Sequence, residues 1–280
     1  MKLTFLGTGT SSGNPSLGCD CPVCSSRDPH DHRFRTSALL ETTDGQRILF
    51  DCGPDFRQQM LRWTDTQPQD SPARNFLTQV PQPGQILPRV LHAVLITHIH
   101  YDHVSGLDDL RPYSIGTPLP IYSSEEVARE LRERLPYCFH KPKTDTFVPR
   151  FELHPVRLHE KFSVCGLEVL PIKLLHGTVP TFGYRIGKFA YLTDLHELPE
   201  SEYPLLEGLD TVVIDALHRY KSHPTHESVP EALRVIERLR PRQAYLVHMS
   251  HRAGLHAESH TFLPDNVCYA YDTLSVELPD

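Results

Sequence analysis

Four side chains of metal-ligand type fall within six residues at Thr97-His98-Ile99-His100-Tyr101-Asp102-His103. His98, His100 and His103 offer imidazole nitrogens, and Asp102 offers a carboxylate. That donor set suits Zn, Mn, Fe or Ni better than Ca or Cu(I). The run follows an apolar stretch, residues 91–97, that reads as a buried strand. Alternate residues on extended backbone face the same way, so His98 and His100 can share one ion. A turn into helix would then swing Asp102 and His103 toward a second point close by. The alternative is a His-rich solvent turn, but chance rarely places four ligand-type side chains at this spacing.

A second cluster is Cys19-Asp20-Cys21-Pro22-Val23-Cys24. Three thiols at this spacing suit tetrahedral zinc, which prefers soft sulfur ligands and four of them. The alternative is a Cys-rich loop held reduced. By sequence distance, His30 and His32 are the nearest candidates for a fourth ligand. The other cysteines, Cys52, Cys138, Cys165 and Cys268, are scattered, and the total of seven is odd. That is a poor disulfide framework, and the N-terminal apolar stretch is too short for a secretory signal. Both point to the reducing cytoplasm.

Composition narrows the classes further. The chain has 280 residues, 39% of them apolar and 22% charged, as in a soluble globular protein. No apolar run approaches the ~18 residues of a membrane span. A net charge of −7 without a basic run argues against a nucleic-acid-binding face. The 18 histidines, against 28 Lys plus Arg, suggest metal or proton chemistry if they cluster.

Strands are predicted over 2–6, 37–42 and 47–51, the last two joined by a turn at 43–45. The Gly-rich stretch 7–13 reads as a turn into the cysteine loop rather than a phosphate cradle, because no helix or Lys-Ser/Thr pair follows. A short helix is predicted over 54–62, and residues 63–88 read as a long insertion rich in Gln and Pro. A strand at 119–122 precedes a helix at 125–135, capped by Ser123 or Ser124. Residues 136–166 read as irregular, with strand-like pieces. Strands follow at 168–175, 181–186, 189–193, 211–215 and 243–248. A helix over 229–239 lies between the last two. Residues 267–271 and 274–277 are expected to close the chain as a hairpin. No linker divides the chain, so one domain over 1–280 is expected, an α/β layered sandwich. Residues 95–98 and 246–248 each put a histidine just past an apolar strand, a weak echo of two related halves.

The H-x-H-x-D-H run after an apolar strand resembles the metallo-β-lactamase superfamily. That resemblance implies an αββα four-layer sandwich and a dinuclear metal-dependent hydrolase. Leu49-Phe50-Asp51-Cys52-Gly53 resembles the family's early Asp that supports the metal loop. His176 follows a strand, as the first ion's third ligand should; Asp194 matches the bridging carboxylate and His248 the second ion's last ligand. The resemblance thus implies His98, His100, His176 and Asp194 on one ion, and Asp102, His103, Asp194 and His248 on the other, with Zn or Mn as the metals. A narrower likeness is to the cyclic-phosphate phosphodiesterases of the carbon–phosphorus lyase pathway. It is carried by Cys19-x-Cys21-x-x-Cys24, by Thr181-Phe182-Gly183-Tyr184 and by His248-Met249-Ser250-His251. It implies His251 as the fourth ligand of one structural zinc, His226 as a proton carrier, and a homodimer. A sister branch in pyrroloquinoline quinone biosynthesis shares the cysteine loop.

Several residues keep two readings. His226 is either the leaving-group acid or a solvated loop histidine, and Glu227 either orients it or is surface acid. Asp215 could hold a ligand or cap a turn. Gly183 and Tyr184 could line the pocket or simply pack, and His218 could touch substrate or sit in a surface turn. Arg111 could meet a phosphate or pair with Asp108 or Asp109. The leading functional expectation is hydrolysis of a small phosphodiester, cyclic ones included. Against it stand lactone or thioester hydrolysis, tRNA 3′-end processing and a non-catalytic scaffold. An acidic chain without an RNA-gripping arm argues against the third, and an intact ligand set against the fourth.

Overall fold

A computed structural model describes residues 1–76, 89–139 and 148–279. The first sheet is built by β1 (Lys2–Gly7), β2 (Ser37–Glu41), β3 (Arg47–Phe50), β4 (Ala93–Leu95), β5 (Leu119–Ser123) and β6 (Phe151–Pro155), side by side in that order. The second runs through β7 (Phe162–Val164), β8 (Leu167–His176), β9 (Val179–Ile186), β10 (Phe189–Leu192), β11 (Thr211–Asp215), β12 (Gln243–Val247) and β13 (Val267–Tyr269). β14 (Ser275–Glu277) returns to the first sheet and pairs antiparallel with β1.

The expected closing hairpin is therefore wrong. β13 lies parallel to β12, while β14 lies in the opposite sheet. Two short apolar runs separated by a turn satisfy a hairpin pattern locally. What decides their fate is the open edge each finds, which local pattern does not encode.

Each sheet begins with an antiparallel meander and continues in parallel. β1, β2 and β3 alternate in direction, then β3 to β6 run together. β8, β9 and β10 alternate likewise, then β10 to β13 run together. The sheets face one another across Leu3, Phe5, Phe50, Leu95, Phe189, Tyr191 and Val247, all wholly or almost wholly buried. Burial of each such side chain is worth roughly 1.5–3 kcal/mol.

Helices cover the outer faces. α1 (Phe56–Asp65) and, further on, α4 (Glu125–Arg134) pack Met60, Trp63, Val127 and Leu131 on the first sheet. Between them lie the one-turn helices α2 (Pro72–Asn75) and α3 (Tyr101–Val104). α5 (Val229–Leu239) covers the second sheet with Val229, Ala232, Val235, Ile236 and Leu239. Their spacing of three and four residues makes one apolar stripe. Ser228 and Glu231 close α5's first turn as a capping box. Ser124, rather than Ser123, caps α4 by accepting the Val127 N–H. The layers are helix, sheet, sheet, helix, as the αββα expectation requires.

The helix expected over 54–62 runs two residues later and three further, because buried Trp63 extends its apolar face. The expected 63–88 insertion is thereby shortened: its first residues belong to α1, and α2 lies within it. Residues 77–88 lie outside the described residues.

Candidate metal centre

The site lies where strands of both sheets end. After β4 the chain stays extended through His98 and turns helical at Tyr101. His98 Nε2 and His100 Nδ1 come within 2.9 Å, as alternate positions on extended backbone should. His176, the last residue of β8, brings its Nε2 within 3.2 Å of His100 Nδ1. These three nitrogens form one convergent group that could hold a metal ion.

The turn into α3 swings Asp102 and His103 to a second point. Asp102 Oδ2 lies 3.3 Å from His103 Nε2 and 3.5 Å from His248 Nε2, again a group that could hold an ion. Asp194 stands between the two points. Its Oδ1 is 3.3 Å from His248, 3.8 Å from His98 and 3.9 Å from His176, while Oδ2 is 3.2 Å from His103. Asp51, Asp194 and His248 all have left-handed backbone, with φ of 57°, 60° and 57°. Each follows a strand, and an unfavourable φ at three non-glycine residues round one cleft marks the strand ends as adapted to a site.

Buried acceptors fix the imidazole tautomers. Asp51 is fully buried and accepts from the Thr97 N–H and hydroxyl and, at 2.8 Å, from His103 Nδ1–H. With its hydroxyl proton committed to Asp51, Thr97 Oγ1 accepts from His98 Nδ1–H at 3.0 Å. His176 Nδ1–H donates to the Thr225 carbonyl at 2.7 Å. In all three rings the other nitrogen, Nε2, is left facing the cluster, as a lone pair in His98 and His176. Sequence reasoning picked out Asp51 but missed Thr97 and Thr225. Thr97 stood next to the motif, whereas nothing local marks a backbone carbonyl 49 residues from its partner. Gly53 was quoted only as part of a motif. A Cβ there would lie 2.0 Å from the Asp102 carbonyl oxygen, so only glycine lets the metal loop seat so closely.

Charge balance points the same way. Among the described residues, the ionic partners of Asp102 and Asp194 are all imidazoles. Burial holds His98, His100 and His176 below the usual histidine value, which keeps them neutral and able to ligate. Burial opposes ionisation of Asp194, but the His103 and His248 rings outweigh it and hold the carboxyl well down. His103 Nε2 is buried without a hydrogen-bond partner. Burial opposes a charge on His103, but Asp194, Asp102 and Asp51 outweigh it and raise the ring well above the usual histidine value, so a divalent cation would take the place of its Nε2 proton. Neutral imidazoles at His98, His100 and His176 beside ionised carboxylates fit such cations.

His226 lies directly above this cluster. Its ring stacks on His248 at 4.6 Å and 13°, and packs edge-on against His176 at 4.6 Å. His226 Nδ1–H donates to Asp215 Oδ2 at 2.6 Å. Burial alone would lower the ring's pKa, but Asp215 outweighs it and raises it to about 9. His226 is thus no solvated loop residue. Asp215 accepts from it and from Leu195 N–H at 3.2 Å, and its Oδ1 lies 3.9 Å from His248 Nδ1. Glu227 is buried too, which overturns its surface-acid reading; burial beside Asp215 raises it to about 9.

Other expectations fail. Tyr184 is wholly buried between the sheets and donates its hydroxyl to the Ile96 carbonyl, so it does not line a pocket. Gly183 is likewise packing: a Cβ there would meet the Leu192 side chain at 2.7 Å. The His218 ring is buried and bonded to the Lys221 carbonyl, and the imidazole it packs against is His223. It therefore sits in no surface turn, and its substrate role has no geometric support. Arg111, by contrast, follows its expected pairing, with Asp108.

The cysteine cluster closes on His251. His251 Nδ1 lies 3.1 Å from Cys19 Sγ, 3.5 Å from Cys21 Sγ and 3.3 Å from Cys24 Sγ. These four atoms form a convergent donor group that could hold an ion. His30 and His32, the nearest by sequence, point elsewhere. His30 packs on His256 and Tyr271, and His32 bonds the Ser26 carbonyl. All seven cysteines are free.

Comparison with known proteins places this geometry. Residues 46–249 match the family described as the beta-lactamase superfamily domain. A solved diphosphatase of the PhnP family superposes with a TM-score of 0.83 at 36% identity, covering 98% of this chain and 96% of that one. The Porphyromonas gingivalis protein named octanoyltransferase is 39% identical over 276 residues, 98% of this chain. This chain spans 51% of that relative's length. Coenzyme PQQ synthesis protein B of Methylorubrum extorquens is 28% identical over 233 residues, 77% of this chain and 72% of that protein. The chain belongs to the metallo-β-lactamase superfamily, a fold of hydrolases that bind divalent metal. Within it the chain is PhnP-like. Among the described residues no helix is long and apolar enough to cross a membrane.

Proposed function

We propose that this chain is a metal-dependent phosphodiesterase acting on small phosphodiesters, cyclic ones included. One observation carries the reading: an imidazole, His226, held by a buried carboxylate against the convergent ligand groups, close enough to His176 and Asp194 to form a donor group with them. His98, His100, His176 and Asp194 would hold one ion, and Asp102, His103, Asp194 and His248 a second, as zinc or manganese. Cys19, Cys21, Cys24 and His251 would hold a structural zinc. Divalent ions in the catalytic groups supply Lewis acidity toward phosphate oxygens and activate water at neutral pH.

His226 does what a leaving alkoxide needs. Asp215 takes its Nδ1–H, so the protonated ring presents Nε2–H and can release that proton to the departing oxygen. A value of about 9 keeps the proton on, and cations close by would pull it toward neutrality, the range in which a general acid works. Asp194, at the centre of the cluster, fixes the spacing of both ligand groups. The name of the PhnP-family neighbour, a diphosphatase, supports phosphorus chemistry.

A second reading, hydrolysis of an acyl ester or thioester, is favoured by the relative named octanoyltransferase. The two separate in one paired assay, with bis(4-nitrophenyl) phosphate and a ribose cyclic phosphate against an octanoyl thioester and a lactone. Turnover of the phosphodiesters, lost in Asp194→Ala, is expected. Turnover of the acyl substrates without the phosphodiesters would replace the first reading by the second.

A further inference from the structure

The loop between β11 and α5 carries an imidazole with no part in the ligand groups or the acid. His223 is exposed, yet its ring is held in place. Thr225 donates its backbone N–H to His223 Nδ1 at 3.4 Å, and its Oγ1 lies 3.1 Å from the same nitrogen. A ring nitrogen that accepts an N–H carries no proton, so His223 is the Nε2–H tautomer. Pro224, between the two, restricts the turn's backbone. Thr225 also presents the carbonyl that holds His176. Its methyl would lie 3.0 Å from a Cβ at Gly177. The His223 ring is thus tied through one residue to the ligand cluster. It stands 5.4 Å from the His226 ring, centre to centre. Among the described residues its Nε2–H has no hydrogen-bond partner. A neutral donor, open to solvent and without a protein partner among the described residues, therefore stands beside the leaving-group acid.

We propose that His223 is a specificity-determining residue whose Nε2–H donates to a leaving-group oxygen next to the one that His226 protonates. The inference rests on the phosphodiesterase reading. It selects diesters whose leaving alkoxide bears a vicinal hydroxyl or ether oxygen, as in cyclic phosphates of sugars and other polyols. An aryl leaving group has no acceptor on the carbon beside its phenolic oxygen.

The test measures kcat and KM for the wild type, His223→Ala, His223→Asn and His223→Gln, each with its metal content. The substrates are a ribose cyclic phosphate and bis(4-nitrophenyl) phosphate. Gln carries an amide N–H close to the position of Nε2, while Asn carries an acceptor close to that of Nδ1. In His223→Ala the preference for the sugar diester, as a ratio of kcat/KM values, is expected to fall on the order of tenfold. Gln should restore the ratio and Asn should not, with wild-type metal content throughout. Three results overturn the proposal: a ratio unmoved in the Ala variant, rescue by Asn instead of Gln, or loss of metal with an equal fall on both diesters. A wild type inert toward both diesters removes the phosphodiesterase reading itself and this inference with it. That result is distinct from an active wild type whose ratio does not respond to His223.

Discussion

The two sheets repeat one plan but contribute to the site in different ways. In each, four antiparallel strands lead into a parallel set, so β3 in the first sheet corresponds to β10 in the second. The residues just past these strands are Asp51 and Asp194, with nearly the same left-handed backbone. Yet Asp51 is turned away from the cleft and bonds Thr97 and His103, while Asp194 faces both ligand groups. The first sheet concentrates His98, His100, Asp102 and His103 on a single loop and uses its strand-end Asp to hold that loop. The second disperses His176, Asp194, His248 and Asp215 over four strand ends. Equivalent backbone positions have thus separated into a support and a centre.

The largest effect should come from exchanging these two roles for alanine. Asp194→Ala removes a group shared by both ligand sets. It should lose several orders of magnitude in kcat and bind fewer metal equivalents, read by elemental analysis of the purified protein. Asp51→Ala leaves every ligand in place and only frees the Thr97 and His103 contacts. A 10–100-fold loss in metal affinity or activity is expected, as for other partners that orient ligands. Equal losses in the two variants would erase the distinction between support and centre.

The same contrast explains what could be read from sequence. The first sheet's share was legible because four ligands follow one strand within six residues, a spacing that carries its own geometry. The second sheet's share is scattered over 73 residues, from His176 to His248. No period links those positions; a histidine or carboxylate just past an apolar strand marked His248 and Asp215, and likeness to a family picked out His176 and Asp194. The apparent echo between His98 and His248 is not the structural repeat. His98 follows β4, which corresponds to β11, whereas β12, before His248, corresponds to β5. Most strands were legible from apolar patterning, and the sheet to which each belongs was not. Residues 267–271 and 274–277 show why: both patterns are right, and the partners are in different sheets. Tyr184 kept two readings because an aromatic residue on a strand has the same sequence signature in a pocket as between sheets.

A smaller effect tests the seams between the sheets. The cysteine loop follows β1 in the first sheet, and His251 follows β12 in the second, three residues after His248. Cys21→Ser should lose one metal equivalent and lower activity without touching any catalytic ligand, because His251 would no longer anchor His248. Met249 is also bonded on both sides, to Thr8 and Thr10, so a partial loss is expected rather than a complete one. Unchanged metal content with unchanged activity would sink this coupling.

The smallest effect concerns the crossing from β13 to β14, where Asp272 is buried. It accepts from the Thr8 hydroxyl and the Phe34 N–H, beside the buried Arg33 guanidinium. Burial is the largest influence and raises its pKa from 3.8 to about 6, against the Phe34 N–H, Arg33 and the Thr8 hydroxyl. Between those values the folded chain holds a proton that the unfolded chain has released. Stability from this group is therefore fully present below about pH 4, falls as pH rises toward 6, and is level beyond. A shift of this size corresponds to about 3 kcal/mol. Asp272→Asn cannot titrate and keeps one acceptor oxygen, enough for the Phe34 N–H or the Thr8 hydroxyl but not both. Denaturant unfolding at pH 4 and pH 7 should show the wild type losing stability relative to the variant over that interval. If the two lose stability in parallel, the buried carboxyl is ionised throughout. Arg33 then holds the crossing as a permanent ion pair, and the seam between the sheets is electrostatic rather than hydrogen-bonded.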